Sequence, residues 1–201
     1  MEITGRFIYN NYGKKDASLK DDIQAIYTSS SQLYQFVDNF LEYAKETDIK
    51  NNESAPYALY ILVSEKIEFF RNIASSRKTA LYNNVPKDML LTVNRHLLSI
   101  ILHNLLDNAI KNTYDGKIIF SAPTIDGRTA ITIKDTGKGM SKEKVQYYNS
   151  LQSNMARKVN QKGMGLHIIT DLLAIIGGEM EIESAEGVGT EITLTKKSTF
   201  A

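Results

Sequence analysis

Hydrophobic residues recur every three or four positions along Leu19–Lys45, and this spacing predicts one long helix. Three sets of positions in it repeat at heptad intervals, among them Ile26, Leu33 and Phe40. An apolar stripe of this width is broader than the seam of a two-stranded coiled coil and is typical of helical bundles. Ile3–Asn10 has the pattern of another helix end, so the segment predicts a helical hairpin that pairs with a second copy as a four-helix bundle.

A polar segment, Asp48–Pro56, follows this hairpin, and helical and alternating patterns succeed one another after it. The predicted helices are Leu62–Ser76, Asn94–Thr113 and Met164–Ile176, and the predicted strands are Thr79–Asn83, Leu90–Val93, Ile118–Ala122, Thr129–Lys134, Glu179–Ser184 and Thr190–Thr195. Turn residues at Asp126-Gly127 and Gly187–Gly189 predict two hairpins. We expect residues 1–48 to form the hairpin domain. Residues 49–201 should form an α+β two-layer sandwich, with a mixed, mostly antiparallel sheet and helices on one face.

The composition excludes several classes of protein. Lys and Arg number 24 against 23 Asp and Glu, so bulk charge does not drive binding to a polyanion, and we expect no nucleic-acid partner. The absence of cysteine excludes disulfide scaffolds, zinc ribbons and cysteine nucleophiles. Residues 1–15 lack the apolar core of a signal peptide, and the longest apolar stretch, Leu166–Ile176, is far shorter than the ~20 residues of a membrane span. We therefore expect a cytoplasmic chain without membrane contact of its own; a membrane anchor elsewhere in a parent protein stays open.

Three polar motifs could carry chemistry. Asn104, Asn108 and Lys111 are four and three positions apart on the long helix, so they share one face and could hold a cation and a phosphate chain. Asp135–Met140 (DTGKGM) places a carboxylate at a strand end before two glycines, where the backbone can close around a flat ligand. Gly163–Leu166 (GMGL) opens a helix whose N–H groups could approach phosphate oxygens.

Each motif by itself also fits a simpler interpretation: a solvated polar helix face, an ordinary Asp-x-Gly turn, or a flexible helix entry. The polar stretch between the glycine motifs, Ser141–Lys162, carries Arg157, Lys158 and Lys162 and has the composition of a lid over a triphosphate or of plain charged surface. It is the order of the motifs along the chain that favours a nucleotide site.

In this order the motifs resemble the ATP-binding domain of two-component sensor histidine kinases. That domain shares the Bergerat-type fold with DNA gyrase, the heat-shock chaperone ATPases and the mismatch-repair ATPases. Asn104–Thr113 is similar to the family's N box, Asp135–Met140 to its first glycine box, Gly163–Leu166 to its second, and Gly187–Thr190 to its terminal Gly-x-Gly-Thr. The resemblance extends over essentially the whole chain.

The resemblance implies a site for ATP and Mg²⁺. Asp135 would accept a hydrogen bond from the adenine amino group, with Thr190 nearby through water. Asn108 would coordinate Mg²⁺ with Asn104 beside it, and Lys111 would contact phosphate, so these three would be the catalytic residues. The remaining residues of the implied ATP site are Gly137, Gly139 and Met140 at the adenine end, and Gly163, Gly165 and Leu166 at the phosphates.

One position separates the branches of this fold. The hydrolysing ATPases have a glutamate one turn before the magnesium asparagine, where it activates water, and this chain has Asn104 there. An amide cannot act as a general base, so bound ATP should be kept for another acceptor. The resemblance then implies a protein-histidine kinase whose phosphoryl group passes from a histidine to the receiver domain of a response regulator.

The amino-terminal segment resembles the dimerisation hairpin of the same kinases, because Phe40–Ala44 (FLEYA) matches the ending of its second helix. No His-Glu-x-x-Thr-Pro motif of a phosphoacceptor occurs, and His96, His103 and His167 have the settings of structural or pocket-edge residues. We expect a fragment that begins after the acceptor histidine, cannot phosphorylate itself and forms a weakened homodimer. Two alternatives stay open: a degenerate docking scaffold, and a serine protein kinase of the same fold.

Overall fold

The computed structural model describes residues 55–125, 128–150 and 164–196. The chain divides into two compact units, Met1–Asp48 and Ile49–Ala201, and every described residue belongs to the second. The predicted helical hairpin at 1–48 lies outside the described residues and stays a prediction, as does its dimerisation.

Four helices and nine strands lie in the described part of the chain. The helices are α1 (Leu59–Ser76), α2 (Arg95–Asn112), α3 (Lys142–Ser150) and α4 (Met164–Ile175). The strands are β1 (Tyr57–Ala58), β2 (Ala80–Asn84), β3 (Leu90–Leu91), β4 (Lys117–Ser121), β5 (Thr124–Ile125), β6 (Arg128–Thr129), β7 (Ile131–Asp135), β8 (Gly178–Ala185) and β9 (Gly189–Lys196).

Five of the strands form the main sheet, in the order β2-β4-β7-β9-β8. The β2–β4 pair is parallel and the other three pairs are antiparallel. Side chains alternate along each strand, and the inward ones, such as Ile118, Ile133 and Ile192, are buried. The prediction of a mixed, mostly antiparallel sheet with helices on one face is confirmed.

Helix α2 forms the centre of the core beneath this sheet. The side chain of Asn94 caps its first turn by accepting a hydrogen bond from the N–H of Leu97 at 3.0 Å. The buried side chains of α2 include Leu98, Ile101 and Leu105, which recur at three- and four-residue spacing. α2 packs against α1, α4 and β7, so its polar face is held at a fixed place beside the sheet.

The structure differs from the predicted elements in several places, among them helix α3 (Lys142–Ser150), which the sequence did not predict. Helix α1 begins at Leu59 instead of Leu62, since its first turn is fixed by the N–H of Leu59, which donates to the carbonyl of Met89 at 3.1 Å. Strand β3 lies outside the main sheet. It pairs with β1, a short strand that the sequence did not predict. The predicted strand Thr129–Lys134 is interrupted at Ala130, whose N–H donates to the carbonyl of Pro123. Its first part, β6, therefore pairs with β5 in a separate two-stranded sheet, and its second part, β7, belongs to the main sheet.

Candidate functional site

Three polar residues lie side by side on adjacent strands at one end of the buried, apolar face of the sheet. The strand register places Asp135 of β7 opposite Thr190 of β9, and Thr190 opposite Ser184 of β8. On the other side of Asp135 lies Ile118 of β4, which belongs to the buried core. Three polar side chains on adjacent strands therefore stand side by side where the hydrophobic face ends.

Asp135 is the buried carboxylate of this row, with only 8% of its surface exposed. Its Oδ1 accepts hydrogen bonds from the N–H of Gly137 at 2.8 Å and from the N–H of Thr190 at 3.3 Å. Its Oδ2 accepts none from the residues that the structure describes. Burial raises the pKa of Asp135, and the two backbone N–H groups oppose that rise. One carboxylate oxygen thus fixes the side chain, and no described residue donates a hydrogen bond to the other.

The loop after Asp135 is held against the end of helix α2. The N–H of Lys138 donates to the carbonyl of Asn112 at 3.0 Å. A Cβ added at Gly137 would collide with that same carbonyl, so only glycine lets the loop lie this close to the helix end. The last turn of α2 and the first glycine motif are consequently in direct backbone contact.

The same loop is also held against the turn between β8 and β9. The N–H of Gly187 donates to the carbonyl of Lys138 at 2.8 Å, and the N–H of Met140 donates to the Ser184 hydroxyl at 2.9 Å. Gly139 has a φ of +67°, and a Cβ there would collide with the carbonyl oxygen of Ala185. Contacts with α2 on one side and with the hairpin on the other thus fix the predicted residues Gly137, Gly139 and Met140.

Helix α2 presents the predicted polar face. Asn104 is half-buried, and its Nδ2 donates to the carbonyl of Ile100 at 2.9 Å. Asn108 is also half-buried, and its side-chain amide makes no hydrogen bond within the described part of the chain. Lys111 is exposed, and its Nζ lies 2.6 Å from Oδ2 of Asp107. An exposed ion pair of this kind stabilises by only about 0.3–0.5 kcal/mol, so a phosphate could displace Asp107 from Lys111.

The second glycine motif is described only in part. Gly163 lies outside the described residues, Gly165 lies in the first turn of α4, and Leu166 is buried. In the polar stretch after Ser141, α3 covers Lys142–Ser150, while Arg157, Lys158 and Lys162 lie outside the described residues. The contacts predicted for these residues therefore stay predictions.

The described residues contain no group of three or more acidic, histidine or cysteine side chains that could hold a metal ion by themselves. Mg²⁺ usually keeps several waters and takes one or two protein ligands together with substrate phosphates. The side-chain amide of Asn108, which bonds no other described residue, could supply one oxygen ligand and so fits a magnesium ion shared with a nucleotide.

Residues 93–199 match the family model described as "Histidine kinase-, DNA gyrase B-, and HSP90-like ATPase". The chain belongs to this family. Curated relatives include the sensor protein EvgS of Escherichia coli (strain K12), which is 32% identical over an alignment 164 residues long that covers 74% of this chain and 14% of EvgS. The sensor histidine kinase AtsR of Burkholderia thailandensis is 27% identical over an alignment 192 residues long that covers 90% of this chain and 32% of AtsR. The chain thus spans a minor part of the length of these relatives.

Solved structures show the same fold. The catalytic domain of histidine kinase ThkA has a TM-score of 0.62 at 20% identity, over 74% of this chain and 99% of that domain. Full-length ShkA, solved in complex with AMPPNP, has a TM-score of 0.65 at 24% identity, over 98% of this chain and 42% of ShkA. This fold agrees with the family match and with the sensor-kinase relatives, which show that the chain contains a histidine kinase-type ATPase domain. None of the helices in its described part is long and apolar enough to cross a membrane.

Sequence reasoning missed three residues that build this region. Ser184 joins the polar row, the carbonyl of Asn112 receives the loop after Asp135, and Asn149 bonds the edge strand β8. The signal for Ser184 was its place six positions before Thr190 across a tight turn, which makes the two residues cross-strand neighbours. The other two contacts involve backbone atoms, and no side-chain pattern marks them.

Proposed function

We propose that this domain binds ATP with its adenine at Asp135 and its phosphates along the polar face of α2. The observation that carries the proposal is the buried carboxylate itself. A charged group with 8% exposure is costly unless it is hydrogen-bonded, and two backbone N–H groups bond only its Oδ1. The second oxygen would accept a hydrogen bond from the adenine amino group, with Thr190 taking part through water.

On the phosphate side, Asn108 would give an oxygen ligand to Mg²⁺, with Asn104 beside it, and Lys111 would contact phosphate. The ion would neutralise charge on the phosphates. The backbone at Gly163, Gly165 and Leu166 would contact the phosphate oxygens at the start of α4. The complex of ShkA with AMPPNP supports a nucleotide in this fold.

The reaction would be transfer of the γ-phosphoryl group to a histidine of a dimerisation hairpin, followed by relay to the receiver domain of a response regulator. The names of the relatives as sensor proteins and sensor histidine kinases support this reaction. Asn104 cannot act as a general base and its amide already bonds the carbonyl of Ile100, so we expect turnover of ATP without an acceptor far below the ~10 s⁻¹ typical of enzymes.

Calorimetric titration with AMPPNP, with and without Mg²⁺, tests the proposal on the unmodified chain and on Asp135→Asn. The substitution keeps an oxygen for the two backbone N–H groups but turns the ligand-facing oxygen into an N–H donor. We expect magnesium-assisted binding that the substitution weakens by about 10- to 100-fold. Asp88→Asn, on an exposed residue outside the site, should leave binding unchanged. Absence of binding in the unmodified chain would favour the docking scaffold instead.

A further inference from the structure

Ser184 makes three hydrogen-bond contacts at the end of the polar row. Its Oγ receives the N–H of Met140 at 2.9 Å and lies 2.8 Å from the carbonyl oxygen of Gly189. The same Oγ lies 2.9 Å from Oγ1 of Thr190. One hydroxyl thus joins the first glycine motif, the β8–β9 turn and the residue beside Asp135.

The direction of these hydrogen bonds follows from counting protons. A serine hydroxyl has one proton and two acceptor positions. The carbonyl of Gly189 has no proton, so its contact at 2.8 Å is a hydrogen bond only if Ser184 donates. The remaining contact then requires that Thr190 donates to Ser184, whose second acceptor position is taken by the N–H of Met140. If Ser184 donated to Thr190 instead, its Oγ would face the carbonyl oxygen of Gly189 with no proton between the two oxygens, which is unfavourable for buried groups.

We propose that Ser184 is a positioning residue that fixes the Thr190 hydroxyl as a hydrogen-bond acceptor and thereby makes the site select a base with an amino group. The inference rests on the proposed function, because it concerns how the same site discriminates among nucleotides. Thr190 is 7% exposed and adjoins Asp135 in the register, so the direction of its hydroxyl is fixed inside the protein.

The consequence is a row that offers acceptors only. The free oxygen of Asp135 accepts, and Thr190 has already committed its proton to Ser184. Adenine presents an amino group to such a row. Hypoxanthine, the base of inosine triphosphate, has a carbonyl at the same ring position and would bring an acceptor against acceptors. Sites built to bond a particular donor reject analogues that lack it strongly.

Dissociation constants for ATP and inosine triphosphate, measured by calorimetry with Mg²⁺, test this inference on the unmodified chain and on Ser184→Ala. We expect the unmodified chain to prefer ATP by at least about tenfold. In Ser184→Ala the Thr190 proton is released and can donate to the water between Thr190 and the base, which leaves that water with a proton for the carbonyl of hypoxanthine. The preference should then fall about fivefold, mainly through tighter binding of inosine triphosphate.

A purely structural role of Ser184 would change the affinity for both nucleotides equally, and an unchanged ratio would overturn the inference. In a Thr190→Val background the effect of Ser184→Ala on the ratio should disappear, because the hydroxyl through which Ser184 acts is gone. An effect that persists there would also overturn it. If Ser184→Ala does not fold, Ser184→Cys, whose thiol is a weak donor and acceptor, replaces it. Failure of the unmodified chain to bind ATP would refute the proposed function itself, which is a different result from ATP binding with an unchanged ratio.

Discussion

Asn149, the residue before the end of α3, bonds the backbone of the edge strand β8 with both ends of its amide. Its Nδ2 donates to the carbonyl of Ile182 at 2.9 Å, and its Oδ1 accepts from the N–H of Ile182 at 2.9 Å. The side chain thus takes the place of a neighbouring strand at an edge that would otherwise carry unpaired backbone groups. We predict that Asn149→Leu destabilises the domain, although leucine has a similar size.

The structure gives the magnitude of this effect. Two hydrogen bonds are lost, each with a net value of about 0.5–1.5 kcal/mol, and both backbone groups belong to the buried residue Ile182. Helix α3 has no buried residue of its own, so little apolar packing offsets the loss. The free energy of unfolding should fall by about 1–3 kcal/mol, which corresponds to a decrease in Tm of about 4–8 °C for 2 kcal/mol.

Urea denaturation of the unmodified chain and the variant measures this change, with equal m-values as the condition for comparing midpoints. Amide hydrogen exchange at Ile182 should become faster than at its neighbours, because that N–H loses its acceptor. Asn72→Ala, at an exposed position of α1, is the matched control and should cause no loss of stability. A decrease smaller than about 0.5 kcal/mol for Asn149→Leu would refute the reasoning.

Three further predictions concern the site and the elements that hold it. Burial raises the pKa of Asp135 above its ordinary value of 3.8, so the group favours folding below that value, and its contribution is lost as pH rises through the raised pKa. Asp135→Asn should therefore melt at or above the unmodified chain at pH 7, and the difference should vanish at acid pH; a large decrease in Tm at pH 7 would contradict this. Gly139→Ala, at a φ of +67° and against a backbone carbonyl, should lower the free energy of unfolding by more than about 2 kcal/mol. Gly177→Ala, at a φ of +69° in open space, should lower it by only about 1 kcal/mol. Equal denaturation midpoints for the two variants would disprove this difference. Arg77 donates from its Nε and Nη2 to the carbonyls at the end of α2, at 3.1 and 3.0 Å. Arg77→Ala should therefore lower the free energy of unfolding by about 1–2 kcal/mol. An unchanged denaturation midpoint would show that Arg77 does not cap α2.

Much of the fold was predictable because its signals are local. The strand pattern Thr129–Lys134, followed by Asp135 and a glycine motif, predicted a carboxylate at a strand end. In the structure Asp135 is the last residue of β7. The three- and four-residue spacing along α2 likewise predicted both its buried face and its polar face. Such patterns depend only on the geometry of one helix or strand.

The remaining features depend on contacts between distant segments. The role of Ser184 requires the register of β8 and β9 together with the approach of the loop at Met140, which lies 44 positions earlier in the chain. The pairing of β3 with β1 and the early start of α1 depend on the carbonyl of Met89. Tertiary hydrogen bonds to the backbone leave no periodic trace in a sequence, so these features were not predictable from it.

The central claim is that the free oxygen of Asp135 receives the adenine amino group. A crystal structure of the chain with AMPPNP and Mg²⁺ tests it most directly. We predict a distance of about 2.8–3.0 Å between Oδ2 of Asp135 and the amino nitrogen, with Mg²⁺ bound by Asn108 at the other end of the nucleotide. A nucleotide bound with its base elsewhere, or with the amino nitrogen beyond about 3.5 Å from that oxygen, would contradict the claim.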